Sequence, residues 1–208
     1  MEIKVIPMGI SERKQKEKLE MAKLILDAAR KVFLEKGYEQ TSIRNIANEI
    51  NYSPGSLYFY FKDKSEIFHE LHKEGFRLLM SRMAVLAKVA DPFERLKAIG
   101  LNFIEFAQQH RDYYNLMFIV EEPVNPAVEG FKIAQEAISF LAGVLTECQA
   151  KGRFTGMDIE YLTFMVLSAI HGICALFCKD RTSSFVSKTN EELMQHGYEC
   201  FVALLEKG

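Results

Sequence analysis

The chain has 208 residues, 49% hydrophobic and 26% charged, a composition that excludes a disordered chain and allows one large domain or two smaller ones. Residues 1–64 carry 12 Lys and Arg against 9 Asp and Glu, and the remaining residues carry 14 against 19. The net charge of −2 argues against a general nucleic-acid coat protein. A mildly basic head on an acidic body is typical of a nucleic-acid-binding module joined to a second domain.

Targeting segments and disulfides are not expected. No run approaches the ~18 apolar residues of a membrane span. The first ten residues are too short and interrupted for a signal peptide, so we expect a cytoplasmic protein. The four cysteines form no CxxC pair and are predicted to be reduced, buried thiols (Cys148, Cys174, Cys178, Cys200). Cys174 and Cys178 would share one helix face, which leaves a redox sensor or a metal site as the alternative.

Helices are predicted along the whole chain. Apolar residues recur at spacings of three and four, and no sustained two-residue alternation is present. We therefore predict an all-α protein of about nine helices. In chain order their approximate bounds are 12–36, 43–50, 54–61, 64–88, 92–109, 111–121, 127–150, 158–178 and 190–205.

Residues 41–64 (TSIRNIANEINYSPGSLYFYFKDK) predict a helix-turn-helix, two short helices joined by a tight turn. Asn51 tolerates the positive φ that such a turn requires. Ser53 followed by Pro54 is an N-cap followed by a first-turn proline, so the second helix begins at once.

The aromatic residues of this second helix allow two interpretations, a DNA-contacting helix and a segment of the core. Leu57 and Phe61 are four residues apart, so both can face the core. The residues between them cannot all face inward as well, and exposed aromatic rings beside Lys62 and Lys64 need a partner. A plain aromatic core segment is the alternative, but the spacing favours a DNA-contacting helix.

The residue types of this segment suit DNA. A helix N-terminus offers N–H groups and partial positive charge to phosphates. Gly55 and Ser56 let the backbone approach the major groove closely, and the hydroxyls of Tyr58 and Tyr60 can donate to phosphate oxygens. The predicted DNA contacts are Thr41, Ser42, Arg44, Ser53, Pro54, Gly55, Ser56, Tyr58, Phe59, Tyr60 and Lys64.

This segment resembles the TetR family of regulators. The family pattern runs from a Thr-initiated helix with Ile-Ala, through a turn ending in Ser, to Gly-x-Leu-Tyr-x-Tyr-Phe-x-x-Lys. It stands here as Thr41, Ile46-Ala47, Ser53, Gly55-Ser56-Leu57-Tyr58-Phe59-Tyr60-Phe61 and Lys64. The first helix, which ends in Phe33-x-x-x-Gly37-Tyr38, is similar too. The close match spans about residues 20–70; the rest matches only in helix number, length and Gly172.

The chain departs from the family pattern in two ways. Asn51 and Tyr52 replace the usual Gly and small aliphatic residue of the turn. The exposed recognition positions also lack the Arg, Lys, Asn and Gln side chains that usually read bases. We therefore expect Arg44 to contact guanine and Pro54 and Phe59 to contact thymine methyl groups, with DNA shape contributing.

The resemblance implies that the fourth to eighth helices surround a ligand pocket and that the last two helices pack against a second subunit. An apolar or aromatic effector is expected, since aromatic and sulfur side chains are abundant in this half of the chain. The predicted ligand contacts are His72, Phe76, Phe103, Phe106, His110, Tyr113, Met117, Phe131, Phe164 and His171.

The sequence also allows two other hypotheses, a metalloenzyme and a protein that senses a ligand without binding specific DNA. Glu66 and His69 form an ExxH motif of the kind found in di-iron bundles, but the chain has no second one, so a metalloenzyme is the weaker alternative. A ligand-sensing helical dimer without specific DNA binding is the other. No cofactor is implied, because no phosphate-binding loop, GxSxG elbow or zinc-spaced cluster is present.

Together these patterns predict two domains and one mechanism. Residues 1–64 form an N-terminal arm and DNA-binding domain, and residues 65–208 a ligand-sensing and dimerisation domain. The protein is expected to bind a near-palindromic operator as a homodimer and to be released by its effector. We expect a repressor, because occupying a promoter needs no further partner surface, whereas activation does.

Overall fold

The computed structural model describes residues 10–120, 129–185 and 187–207. Within these ranges the chain has no strand, so the all-α prediction is confirmed. The predicted N-terminal arm and the loop at 122–126 lie outside the described residues. The helices are α1 (Ile10–Gln40), α2 (Ile43–Glu49), α3 (Pro54–Leu57), α4 (Lys64–Leu86), α5 (Pro92–Gln109), α6 (Arg111–Phe118), α7 (Glu129–Ala150), α8 (Ile159–Cys178) and α9 (Asn190–Glu206), with a 3-10 helix at Arg181–Ser184.

The described chain forms two compact units, and the boundary between them lies between Leu71 and His72. Val120 belongs to the first unit. From the sequence, this boundary was expected between residues 64 and 65. The first unit extends further because Ile67, Phe68 and Leu71, in the first two turns of α4, are buried. The ring of Phe68 meets that of Phe33 edge-on, with 4.9 Å between their centroids.

Local capping explains why most helix boundaries agree with the prediction. The regular part of α1 ends at Gly37, whose φ of 76° lies in the left-handed region that glycine tolerates. Asp91 caps α5 through the backbone N–H groups of Phe93 and Glu94. Thr189 and Glu192 form a capping box at the start of α9. Asp158 is the N-cap of α8 and precedes its first turn.

The third helix is shorter than predicted. It comprises a single turn, Pro54–Leu57, although the sequence analysis extended it to Phe61. The N–H groups of Tyr60 and Phe61 both point to the carbonyl oxygen of Leu57, at 2.9 and 3.0 Å. One acceptor thus serves an i→i+3 and an i→i+4 bond, which closes a turn in place of a longer helix.

The second unit has one continuous apolar core. Helix α5 lies at its centre and packs against α6, α7, α8 and α9. Gly100 allows a close approach, because a Cβ atom placed there would lie 2.4 Å from the hydroxyl oxygen of Tyr198 on α9. That hydroxyl donates to the carbonyl oxygen of Lys97 at 2.6 Å. The glycine thus sets the α5–α9 spacing.

Helix α8 contradicts one expectation from the sequence. No run close to the length of a membrane span was expected, yet α8 is long and apolar enough to cross a membrane by length and composition. About a third of this stretch is buried within the chain. A single helix of this kind is weak evidence for a span, since the core helix of a soluble protein passes the same test.

Candidate nucleic-acid interface and ligand cavity

The core of the first unit holds the helix-turn-helix in place. Ile43, Ile46 and Ala47 bury one face of α2, as their spacing predicts. Leu57 is fully buried and Phe61 nearly so, which confirms that these two residues face inward. The aromatic residues between them are therefore left toward the outside of the unit.

The turn between α2 and α3 has the predicted geometry. Asn51 adopts a left-handed φ of 56°. The N–H of Tyr52 donates to the carbonyl oxygen of Ala47 at 2.9 Å, which closes the end of α2. The hydroxyl of Ser53 accepts from the N–H of Ser56, so the predicted N-cap of α3 is present.

An exposed aromatic surface surrounds α3. Phe59 is 83% exposed and Tyr58 58%. Phe59 and Tyr60 also line a shallow hollow together with Tyr52, the residue that departs from the family pattern. The other exposed predicted contacts are Ser42, Arg44, Ser53 and Gly55, while Pro54, Ser56 and Tyr60 are half-buried. Asn48 and Lys62 are among the exposed polar residues outside the predicted set.

Thr41 and Lys64, two of the predicted DNA contacts, form hydrogen bonds with the backbone of the first unit. Thr41 is only 2% exposed, and its hydroxyl donates to the carbonyl oxygen of Gly37 at 2.7 Å. The ammonium group of Lys64 donates to the carbonyl oxygen of Tyr38 at 2.8 Å and lies 4.4 Å from the centre of its ring. Both side chains therefore satisfy the C-terminal end of α1.

The basic residues at the start of α1 are partly neutralised. Arg13 pairs with Glu17 and Lys16 with Glu20, each one helical turn away. Lys31 further along pairs with Glu49 of α2 at 2.6 Å, which raises the pKa of the lysine through this hydrogen bond. The charge that α1 presents to a polyanion is thus smaller than its lysine count indicates.

A cavity of about 260 Å³ lies within the second unit. Helices α4, α5, α6, α7 and α8 all contribute to its walls. Its lining side chains are aromatic, aliphatic or thioether groups apart from one histidine: Phe76, Leu79, Met80, Met83, Ile99, Phe103, Phe118, Ala134, Ala137, Ile138, Phe140, Leu141, Leu167 and His171. Such a cavity suits an apolar ligand.

His171 is the polar side chain of this wall. Its Nδ1 atom lies 3.2 Å from the hydroxyl oxygen of Tyr114, and that hydroxyl also donates to the carbonyl oxygen of His171 at 3.2 Å. The rings of Phe103 and Phe118 meet the imidazole edge-on at 4.9 and 4.7 Å. Burial among these rings lowers the pKa of His171 to about 4, so the imidazole is neutral at pH 7.

Three of the ten predicted ligand residues line this cavity: Phe76, Phe103 and His171. Phe164 does not, since it is 67% exposed on the outer side of α8. The side chain of Phe131 lies outside those that the structure describes. The other five are packed or capping residues of the second unit away from the lining: His72, Phe106, His110, Tyr113 and Met117.

Helical spacing is the signal that could have found the missed residues. The α7 positions 134, 137, 138 and 141 follow the 0, 3, 4, 7 pattern of one helix face. The α4 positions 76, 79, 80 and 83 follow the same pattern. The ligand contacts were predicted from residue type and not from helical spacing, so the aliphatic and methionine residues on these faces of α4 and α7 were overlooked.

The structure gives other surroundings to the residues that suggested a metalloenzyme or a redox sensor. The carboxylate of Glu66 accepts from the N–H of Lys62, and the N–H of Glu66 donates to Asp63, so this glutamate caps α4. Among the described residues, no three His, Cys, Asp or Glu side chains are grouped to hold a metal ion. Burial raises the pKa values of Cys174 and Cys178, which makes both thiols poor nucleophiles. Cys200 is exposed, contrary to the expectation of four buried thiols.

Comparison with protein families assigns both parts of the chain. Residues 25–71 match the model of bacterial regulatory proteins of the tetR family. Residues 96–201 match the model of the tetracyclin repressor-like C-terminal domain. The first match includes the whole helix-turn-helix, and the second covers about half of the chain.

Known proteins of similar sequence and fold are regulators. The chain is 28% identical over 160 residues to the fatty acid metabolism regulator protein of Bacillus subtilis (strain 168), covering 70% of this chain and 77% of that protein. It is 23% identical over 174 residues to the "Probable acrEF/envCD operon repressor" of Escherichia coli (strain K12), covering 79% of each. A solved structure of the regulator FadR from Bacillus subtilis in complex with stearoyl-CoA has the same fold, with a TM-score of 0.70 and 19% identity over 86% of this chain and 96% of that one. The chain therefore belongs to the tetR family of bacterial transcriptional regulators, which bind DNA and respond to an effector.

Proposed function

We propose that the protein is a repressor that binds a near-palindromic operator as a homodimer and is released by a small apolar effector. The exposed aromatic residues that follow α3 are the observation that carries the DNA-binding part. Tyr58 and Phe59 stand outside a well-packed core in which Leu57 and Phe61 are buried. Exposed rings in a helix-turn-helix have a role if they lie against DNA sugars and thymine methyl groups.

The proposed DNA contacts follow from exposure. Arg44 reads guanine from α2, and Phe59 contacts thymine methyl groups. The hydroxyl of Tyr58 donates to a phosphate, and Ser42 and Ser53 lie against the DNA backbone from their exposed cap positions. The half-buried Pro54, Ser56 and Tyr60 and the exposed Gly55 complete the surface, whereas the bonds of Thr41 and Lys64 give these two residues a supporting role.

The exposed apolar face of α8 supports the homodimer. Tyr161, Phe164 and Met165 expose most of their side chains, and Leu204 of α9 does the same. Ser168 and Gly172 are exposed on the same helix, and a Cβ atom on Gly172 would meet open space. We infer that a second copy covers this face, with the two small residues permitting close helix approach.

Release by an effector requires a link between cavity and DNA contacts. Helix α4 places Ile67 and Phe68 in the core of the first unit, and Phe76 and Met83 at the cavity of the second. A ligand that shifts the cavity segment of α4 would change the separation of the two DNA-binding heads. Two half-sites can then no longer be engaged together, and the affinity gained from bivalence is lost.

Selection from a random duplex pool tests this function. We expect a palindrome to be enriched, with an affinity that falls steeply as the salt concentration rises, because phosphate contacts release counterions. Arg44→Ala should weaken operator binding by roughly ten- to a hundredfold and relax the preference for guanine at one position of each half-site. Fluorescence anisotropy against the selected operator and its single-base variants measures both effects.

Matched controls separate DNA contacts from folding. Lys14→Ala, on an exposed position at the start of α1, should leave the base preference unchanged and lower the salt dependence at most slightly. Failure of a folded dimer to enrich any sequence would favour a ligand-sensing helical dimer without specific DNA binding. An unaltered guanine preference in Arg44→Ala would remove that residue from the proposed readout.

A further inference from the structure

The walls of the 260 Å³ cavity in the second unit restrict the charge of its ligand. His171 is the sole polar side chain among the described lining residues, and none of them is Lys or Arg. A carboxylate or phosphate taken into such surroundings loses its hydration without gaining a cationic partner. The neutral imidazole of His171 supplies no positive charge at pH 7, since burial holds its pKa at about 4.

The two contacts of Tyr114 favour one tautomer of His171. Its hydroxyl oxygen lies 3.2 Å from both the carbonyl oxygen and the Nδ1 atom of His171. The phenol has one hydrogen, so both contacts are hydrogen bonds only if it donates to the carbonyl oxygen and the Nδ1–H donates to the phenol oxygen. A neutral imidazole protonated at Nδ1 has an unprotonated Nε2, which can only accept a hydrogen bond.

The volume of the cavity limits the size of its ligand. A water molecule occupies about 30 Å³ in the liquid, so the cavity corresponds to about nine waters, or on the order of ten non-hydrogen atoms. Stearoyl-CoA, which the related FadR structure contains, is several times larger and carries phosphates.

We propose that this cavity binds an uncharged, largely apolar alcohol or phenol of on the order of ten non-hydrogen atoms, whose hydroxyl donates a hydrogen bond to Nε2 of His171. This inference names the ligand class for the effector site of the proposed function. Free carboxylates and acyl-CoA thioesters are disfavoured, because the described lining offers them no cationic partner and a CoA thioester is larger than the cavity. Ketones of equal size fill the same space but lack the donor that Nε2 requires.

Isothermal titration calorimetry of the protein without DNA tests the ligand class. The probes are 1-decanol, 2-decanone, decanoate and decanoyl-CoA at pH 7, of which the first two have the same number of non-hydrogen atoms. We expect 1-decanol to bind about tenfold more tightly than 2-decanone, the usual effect of one well-placed hydrogen bond. Decanoate and decanoyl-CoA should bind more weakly than either. Tighter binding of decanoate or decanoyl-CoA than of 1-decanol would overturn the proposal, as would equal affinity for alcohol and ketone.

Three variants locate the binding site. His171→Phe keeps a ring but removes Nε2, so 1-decanol should bind with the affinity of 2-decanone. Ala137→Phe fills the cavity from α7 and should abolish binding of both. His196→Phe changes an exposed histidine of α9 and should alter neither affinity. Circular dichroism melting curves establish that each variant is folded, and unchanged alcohol binding in folded Ala137→Phe would contradict the assigned site.

A separate anisotropy assay with the selected operator distinguishes failure of this inference from failure of the proposed function. If 1-decanol binds as expected but no DNA is bound, the ligand class stands and the regulator assignment fails. If operator binding is intact and none of the four probes binds the free protein, the ligand class is overturned and the regulator assignment stands.

Discussion

His171 is a single side chain whose burial makes stability depend on pH. Surrounding aromatic rings lower the pKa of its imidazole from 6.5 to about 4. The unfolded chain binds a proton below pH about 6.5, but the folded chain does so only near pH 4. This contribution to stability is therefore complete above pH 6.5 and is lost as the pH falls to 4. We expect the free energy of unfolding to fall by up to roughly 3 kcal/mol as the pH falls from about 6.5 to about 4, as measured by urea denaturation.

The variant His171→Gln isolates this effect from other titrating groups. Asp91 and Glu192 have lowered pKa values because they accept backbone hydrogen bonds at helix N-termini, and they titrate in both proteins. The difference in unfolding free energy between wild type and variant should therefore shrink as the pH falls from 7 to 4. A constant difference across that range would mean that the imidazole is protonated at the same pH in the folded and unfolded chains.

Two glycines in the second unit show how one residue type sets different constraints on two helices. Gly100 of α5 touches Tyr198 of α9, whereas Gly143 of α7 has open space where a Cβ would lie. We expect Gly100→Ala to destabilise the fold by about 1–3 kcal/mol, because Tyr198 would have to move. Gly143→Ala should stabilise by roughly 0.5–1 kcal/mol, since alanine favours a helix. Urea denaturation of both variants measures the contrast, and equal destabilisation would contradict the assigned α5–α9 contact.

Helices were predictable from sequence where local chemistry defines them. Gly37, Asn51 and Asp91 act through their own backbone or side chain, so their effects are visible without a tertiary structure. The end of α3 was not predictable in this way. Residues 58–60 are all aromatic, so no Gly, Pro or capping side chain marks the point where the single turn of α3 ends.

The helix-turn-helix was predictable from local sequence, whereas the lining of the cavity was not. The helix-turn-helix was found because its turn, cap and aromatic run lie within 24 consecutive residues. The cavity is assembled from five helices, so composition identified Phe76, Phe103 and His171 but could not tell which helix faces meet. Phe164 was assigned to the cavity because an exposed apolar residue and a buried one look alike in a single sequence.

The quaternary structure of the whole molecule is expected to depend on the exposed face of α8. This face offers Tyr161, Phe164 and Met165 to solvent in the single chain, an apolar surface that monomeric proteins rarely leave uncovered. A carboxylate buried in an apolar interface loses its hydration without gaining a cationic partner. We therefore expect Phe164→Glu to convert the dimer to a monomer in sedimentation velocity experiments.

Loss of the dimer should weaken DNA binding without altering the helix-turn-helix. Two linked heads gain about 10²- to 10⁴-fold in affinity over one, so the Phe164→Glu monomer should lose operator affinity by a factor in this range. It should still bind a half-site as weakly as one head of the wild type. Val85→Glu is the matched control, because Val85 is 65% exposed on α4 and lies outside this face. A Phe164→Glu protein that stays dimeric would place the subunit interface elsewhere, and a monomer with full operator affinity would show that one head suffices.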